Sequence, residues 1–240
     1  MQQVTYSITA NTPLAPSVYR MALSGDTSAI TRPGQFINIK LDGLYLRRPI
    51  SVCDWDESSL TLIYKVVGRG TEQLSRMAPG QSLDALVGLG NGYDIAACPD
   101  NPVLVGGGVG VPPLYALAKR LLAAGKKPSV ALGFNTADEI FYDMAFPALG
   151  LDVTVTTVDG SAGAKGFVTN AIPAGAYVCA CGPEPMLKAV YAKAADGQFS
   201  FEARMGCGFG ACMGCTCKTV TGYKRICKEG PVLFKEEILW

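Results

Sequence analysis

Not one of the 240 residues is histidine. That absence excludes Rieske-type iron ligation, histidine-bound catalytic zinc and any triad built on an imidazole base. Charge of one sign is also scarce. The chain has 21 Lys and Arg against 20 Asp and Glu, with no block of either left over. A surface of that kind has little with which to hold a polyanion, so no nucleic-acid partner is expected. Long apolar runs are missing too. The longest uncharged stretch, Pro102 to Ala118, is dense in Gly and Pro and reads as strand, turn and helix start, not as a membrane span. The opening Met1-Gln2-Gln3-Val4-Thr5 lacks a basic segment followed by an apolar one. The expectation is a cytoplasmic chain with no membrane association.

Apolar residues, at 49% with nine Cys among them, are enough for a sizeable core, and the chain also carries 28 Gly and 15 Pro. So many thiols without a leader sequence suggest a reducing compartment, where they serve clusters or catalysis. The length suits two modest domains and a small module.

The chain changes rhythm twice. In residues 1–97, short runs such as Val4–Ile8, Val18–Leu23, Phe36–Leu41 and Leu60–Val67 are rich in β-branched and aromatic residues, with turns at Pro33-Gly34 and Pro79-Gly80 between them. They predict an antiparallel β-barrel. Residues 98–196 alternate: strands at Val103–Val105, Ser129–Phe134, Leu151–Thr157 and Tyr177–Ala180, a helix over Pro112–Ala124, and a short helix over Asp138–Phe146. Alternation of this kind predicts a parallel sheet covered on both faces. Residues 197–240 hold a cysteine loop and a closing segment, Gly230–Phe234. The fold class expected is a multidomain α+β chain: barrel, α/β nucleotide domain, small C-terminal cluster module.

Cys207, Cys212, Cys215 and Cys227 are spaced C-x4-C-x2-C-x11-C. The first three match the plant-type [2Fe–2S] ligand run. Gly206, Gly208, Gly210 and Gly214 between and beside them can take positive φ and let the backbone curl toward a cluster. The nearby cations Arg204, Lys218, Lys224, Arg225 and Lys228 would offset its charge. Structural zinc and a disulfide pair are the alternatives. Zinc favours two separated C-x2-4-C pairs, whereas here three thiols fall within nine residues. A cluster that moves single electrons makes this a redox protein.

Two loops suit a nucleotide. Gly106, Gly107, Gly108 and Gly110 join a strand to a helix, where a diphosphate could approach the backbone, although the full G-x-G-x-x-G is absent. Cys181-Gly182-Pro183 follows another buried strand and would face the same sheet edge. A plain structural turn and a buried small Cys are the bland readings of these two loops. In the first domain, Arg48 and Ser51 of Arg47-Arg48-Pro49-Ile50-Ser51 could both reach one phosphate, or the two arginines could simply be solvated. No side chain presents itself as a catalytic acid, base or nucleophile.

Together these motifs resemble the ferredoxin–NADP reductase superfamily. Leu46–Ser51, Gly68-Arg69-Gly70-Thr71 and the C-terminal cysteines are most similar to the electron-transfer subunits of type 1B dihydroorotate dehydrogenases, over nearly the whole chain. The resemblance implies FAD held by Arg48, Pro49, Ile50, Ser51, Ile63, Tyr64, Lys65, Gly70 and Thr71. It implies NAD at the glycine loop and the Cys-Gly-Pro turn, and cluster ligation by Cys207, Cys212, Cys215 and Cys227, with Cys217 outside the set. It further implies an FMN-containing dihydroorotate dehydrogenase catalytic subunit as partner, in a heterotetramer of two copies each, working in pyrimidine biosynthesis. Electrons would pass from that subunit through cluster and FAD to NAD. Two other readings stand beside it. One is the small subunit of an NAD(P)H-ferredoxin oxidoreductase or sulfide dehydrogenase. The other is a non-enzymatic iron–sulfur redox sensor.

Overall fold

A computed structural model describes residues 1–240. The first part is a closed antiparallel barrel. Its strands are β1 (Gln2–Ala15), β2 (Val18–Ser24), β3 (Phe36–Ile39), β4 (Arg48–Trp55), β5 (Ser59–Lys65) and β6 (Ser82–Leu89), in the order β1-β2-β5-β4-β3-β6. Period-two alternation builds it. In β6 the residues Leu83, Ala85, Val87 and Leu89 are buried and those between them are not. Leu83, Ala85 and Val87 close over Tyr6, Ile8, Met21, Ile37, Ile39 and Leu62. A short helix, α1 (Arg69–Ser75), connects β5 to β6. Closure leaves no free sheet edge in this part of the chain.

The second part is a seven-stranded sheet. Its parallel strands are β7 (Val103–Gly107), β8 (Ser129–Phe134), β9 (Val153–Thr157), β10 (Ala164–Lys165), β11 (Tyr177–Cys181) and β12 (Asp196–Ser200). Helix α2 (Pro112–Ala123) lays Leu114, Leu117 and Leu121 on Leu104, Val130 and Leu132. Prolines occupy its first turn, where a missing N–H costs nothing. Helix α3 (Glu184–Lys193) lays Leu187 and Val190 on the other face, over Val103, Val105 and Val178. Both faces are therefore covered, as the alternation requires.

The helix expected over residues 138–146 is absent. In its place are 3-10 turns at Ala137–Glu139, Asp143–Ala145 and Pro147–Leu149. Tyr142 takes a left-handed φ of 62°, which breaks any helical run. The segment is held by its aromatics instead: Phe141 and Phe146 are buried, and Phe141 meets Phe134 edge-on at 5.6 Å. Helix α3 was not anticipated from the sequence.

The last part is an excursion from the central sheet. The chain leaves β12, forms the cysteine loop and the hairpin β13 (Thr216–Thr219) and β14 (Gly222–Arg225), and returns as β15 (Val232–Phe234), antiparallel to β12. Asn91, on the exit from the barrel, pins the return: its Nδ2 donates to the carbonyls of Glu229 and Val232 at 3.0 and 2.7 Å. No helix is long and apolar enough to cross a membrane.

Candidate functional site

On the barrel, β4 and α1 bring Arg48 and Gly70 together. The Arg48 guanidinium lies so close over Gly70 that a Cβ there would collide with it. Its Nη1 donates to the Leu46 carbonyl at 2.5 Å, leaving other N–H groups of the fork unengaged. Thr71 accepts the N–H groups of Val67 and Gly68, at 2.9 and 3.2 Å, and so shapes the turn that carries Gly70. Arg48, Pro49, Ile50 and Ser51 are all half-buried along β4. On β5 the alternation separates the expected residues. Ile63 packs toward α2, Lys65 is exposed, and Tyr64 turns into the barrel, its hydroxyl bonding Asn11 at 3.0 Å. Any contact Tyr64 makes with a group outside the barrel must therefore come from its backbone. Arg47 takes no part in this set. It pairs with Asp84 at 2.5 Å.

The glycine loop and the Cys-Gly-Pro turn meet at the carboxyl ends of β7 and β11, which are neighbours in the sheet. A Cβ on Gly110 would strike the Cys181 carbonyl, and one on Gly107 would strike Met186. Gly108, with φ of 50°, starts the 3-10 turn that leads into α2. Backbone thus meets backbone at Gly110 and Cys181, while the Met186 side chain packs between Gly107 and Gly182. A turn pair of this kind at the carboxyl ends of neighbouring parallel strands is where a dinucleotide would bind. Burial pushes the Cys181 thiol up to about 12. The Ser200 hydroxyl pulls it the other way and the Glu202 carboxylate adds to the rise, so the group stays an uncharged thiol at neutral pH. Ser200, Glu202 and Tyr93, whose hydroxyl donates to Ala180 O at 2.9 Å, surround the end of β11. Sequence reading alone does not find these three, because Tyr93 lies more than 100 residues from Ser200 and Glu202 in the chain.

The loop after β8 carries the acids Asp138 and Glu139. Glu139 accepts the Asn135 side-chain amide at 2.7 Å and lies 3.8 Å from Lys65 across the barrel–sheet boundary. The cation nearest this loop is thereby occupied.

The four cysteines stand as two pairs. Cys207 and Cys212 exchange backbone N–H to sulfur bonds at 3.4 Å in both directions, and Ala211 N–H reaches the Cys207 sulfur at 3.2 Å. Cys227 N–H reaches the Cys215 sulfur at 3.4 Å. Burial raises the Cys207 thiol, but the N–H groups of Cys212, Phe209 and Ala211 outweigh it and carry the group down to about 6. Burial and the neighbouring Cys215 push Cys227 up to about 12. No three Cys, Asp or Glu side chains converge closely enough for a single ion. Two thiol pairs, each fed by backbone N–H groups, fit a two-iron cluster with one pair per iron better than one tetrahedral zinc.

Details of the loop differ from expectation. Positive φ falls on Gly208 and Gly210, but Met213 takes it in place of Gly214. Lys224 and Arg225 are not free counter-charges: they pair with Glu237 and Glu229, and Arg225 Nη1 also donates to Gly210 O at 2.6 Å. Cys217 is half-buried at the start of the hairpin and packs against the core cluster that also holds Cys215 and Cys227.

A closed barrel, a parallel sheet with a glycine crevice and a cysteine excursion together define a ferredoxin-reductase-like chain with an added cluster module. The fold is shared with a Neisseria gonorrhoeae ferredoxin NADP+ reductase solved with FAD and NADP: TM-score 0.68, 13% identity, over 80% of this chain and 90% of that one. A nearer solved structure comes from work on flavin-based electron bifurcation by an NADH-dependent reduced ferredoxin-NADP oxidoreductase. It has a TM-score of 0.88 and 32% identity over 98% of this chain and 90% of that one. Residues 202–239 match the iron–sulfur cluster binding domain of dihydroorotate dehydrogenase B. The dihydroorotate dehydrogenase B (NAD(+)) electron transfer subunit of Geobacillus sp. (strain WCH70) is 41% identical over 100% of this chain and 99% of its own length. That of Fusobacterium nucleatum is 42% identical over 97% and 96%. The chain belongs to the family of dihydroorotate dehydrogenase B electron transfer subunits.

Proposed function

We propose that this chain carries electrons between a nicotinamide nucleotide and an FMN-containing dihydroorotate dehydrogenase subunit, using FAD and a [2Fe–2S] cluster held by its own residues. Together FAD and the cluster supply the exchange of a two-electron hydride for single electrons. The chain's part is to bind and align. Arg48 offers its fork to the FAD diphosphate above Gly70, with Ser51, Thr71 and the backbone of residues 63–65 along the rest of the cofactor. The Gly106–Gly110 loop and Cys181–Pro183 hold the nucleotide across the crevice. The neutral Cys181 thiol puts no charge beside the site of hydride exchange. Cys207 with Cys212, and Cys215 with Cys227, hold the two irons.

The observation that carries this reading is that the cysteine loop leans on the flavin side of the barrel. Cys207 and Cys212 share one cavity of about 370 Å³ with Tyr45, Leu46 and Arg47, the residues that lead into Arg48. A flavin held by Arg48 and a cluster held by Cys207 and Cys212 would thereby lie near each other, with the cluster near the surface. A catalytic partner is expected there, with two copies of each chain about a two-fold axis. The boundaries 1–97, 98–196 and 197–240 are the functional division this implies, although β12 and β15 of the third segment also complete the central sheet. The test is the chain purified alone under anaerobic conditions. It should hold FAD, about two irons and about two acid-labile sulfides. It should oxidise NADH with artificial acceptors and leave dihydroorotate untouched. Dihydroorotate oxidation by the chain alone, or zinc in place of iron, would overturn the proposal.

A second reading, the small subunit of an NAD(P)H-ferredoxin oxidoreductase, is favoured by the 0.88 TM-score to the bifurcating oxidoreductase. The higher identity to the dihydroorotate dehydrogenase B subunits, 41% over the full length, favours the first.

A further inference from the structure

The cysteine loop is fastened to the barrel by a residue that none of the proposed binding sets contains. Asn38 is 1% exposed on β3, between Ile37 and Ile39, which fill the barrel core. Alternation along the strand turns Asn38 outward, toward the cysteine segment. Its Nδ2 donates to the Cys207 carbonyl at 3.0 Å, across 169 residues of sequence. In the β3–β4 pairing Asn38 stands opposite Pro49, within the strand proposed to carry FAD. One side chain therefore joins the first cluster ligand to the strand beside the flavin.

Three features show that this contact is built rather than incidental. Gly208, the residue after Cys207, sits at φ of 80°, and a Cβ there would run into the Asn38 amide. The loop thus needs a glycine where Asn38 enters. Arg47 Nη1 donates to the Asn38 carbonyl at 3.3 Å while paired with Asp84 on β6, so the strand beneath Asn38 is braced from both sides. Lastly, Asn38 Oδ1 is fully buried and has no hydrogen-bond partner. Flipping the amide would set that oxygen against the Cys207 carbonyl, so the orphan is the consequence of aiming the donor at Cys207. Buried polar atoms left unpaired are uncommon and disfavour the fold. An apolar residue at 38 would avoid the penalty and lose only the link to Cys207.

We propose that Asn38 is a positioning residue for the iron–sulfur cluster, fixing Cys207 and its thiolate relative to the flavin strand. This rests on the cluster reading above. Exchange of single electrons between two centres weakens steeply as they separate, so a fixed strut between them bears directly on the flow. Its donor also pairs the Cys207 carbonyl, so removing it frees the backbone of the first ligand.

The test compares the parent with Asn38→Leu, which keeps volume and burial but removes both polar atoms, and Asn38→Ser, which stays polar but cannot reach Cys207. FAD content and the melting temperature report the fold. Iron content, the electron paramagnetic resonance spectrum of the reduced cluster, its midpoint potential and the rate of iron loss to a chelator report the cluster. Both variants should retain FAD. Both should have an altered spectrum, a shifted potential and iron loss several-fold faster than the parent. A parent without iron removes the cluster reading itself. A loaded parent with variants that match it in spectrum, potential and chelation rate overturns the role of Asn38. Loss of FAD in both variants makes Asn38 a folding residue and overturns it equally. If only the Leu variant loses FAD, the Ser variant decides on the same measurements.

Discussion

A guanidinium lying across a glycine has little freedom to be replaced. Arg48 is held over Gly70 by the Leu46 carbonyl. Arg48→Ala should weaken FAD retention by about 2 kcal/mol, the scale of a hydrogen bond to a charged group, or roughly thirtyfold in affinity. Arg48→Lys should restore only part, since a point charge cannot reproduce a fork. Equilibrium dialysis against FAD measures it, and parental affinity in the Ala variant would remove Arg48 from the site. Cysteine exchange separates ligands from bystander at the same scale. Ser at 207, 212, 215 or 227 should lose or degrade the cluster, because a serine hydroxyl is a poor thiolate substitute. Cys217→Ser should keep iron and sulfide at the parental level, since backbone N–H groups bond the sulfurs of Cys207, Cys212 and Cys215 and Cys217 lies outside the C-x4-C-x2-C run. Metal analysis and the visible spectrum report both outcomes. Iron lost from the 217 variant alone would redraw the ligand set.

Two loops make predictions at the scale of the element. Gly110→Ala should drive the glycine loop away from the Cys181 carbonyl, a backbone neighbour that cannot yield by rotating. The KM for NADH should rise by about tenfold or more, in line with overpacking costs of ~1–3 kcal/mol, while FAD content stays unchanged. A KM at the parental value would mean the loop lies outside the nucleotide path. The loop after β8 should reject a 2′-phosphate. It presents Asp138 and Glu139, and its near cation Lys65 already faces Glu139. NAD(H) is expected to exceed NADP(H) in kcat/KM by about tenfold or more, since like charges at close range disfavour the complex. Equal or better values with NADPH would refute this. Much of this architecture was legible in the chain. Strand β8 spans the same residues, Ser129–Phe134, that its apolar run predicts, because a strand buried on both faces carries a continuous signal. The cysteine spacing was legible for a similar reason: ligation to one cluster constrains the sequence directly. Other parts were not. Strand β4 opens on an arginine and a proline, and only its partners β3 and β5 make it a strand. The residue 138–146 segment has helical composition but is pinned by aromatic contacts from elsewhere in the fold. Asn38, a single polar residue in an apolar strand, was the one faint signal of a contact that its partner, 169 residues away, completes.

At the scale of the whole molecule, the chain has the two glycine turns proposed to hold the nucleotide and a cysteine module, and on that proposal single electrons leave it for a separate protein. The surface around the thiols suits that exit. Tyr45 is fully exposed, and Leu46, Phe209, Met213 and Tyr223 are exposed as well. Large apolar side chains clustered around one feature of a surface mark an interaction site more often than chance exposure. Cys212 lies exposed among them, so a protein seated there would come close to the cluster. The partner is expected to be an FMN-containing dihydroorotate dehydrogenase subunit, and the complex to be stable, with much of its contact on residues 197–240 and the Tyr45–Leu46 turn. Mixing the two purified proteins should give one species on size exclusion and NAD reduction driven by dihydroorotate, an activity neither has alone. Tyr45→Asp together with Phe209→Asp should abolish the complex and the coupled activity. The same double variant should leave NADH oxidation with a small artificial acceptor within about twofold of the parent, because both side chains lie outside the nucleotide crevice. No complex and no coupled activity from the parental proteins would end the assignment of partner. A complex formed instead with a ferredoxin-linked flavoprotein would move the chain to the second reading.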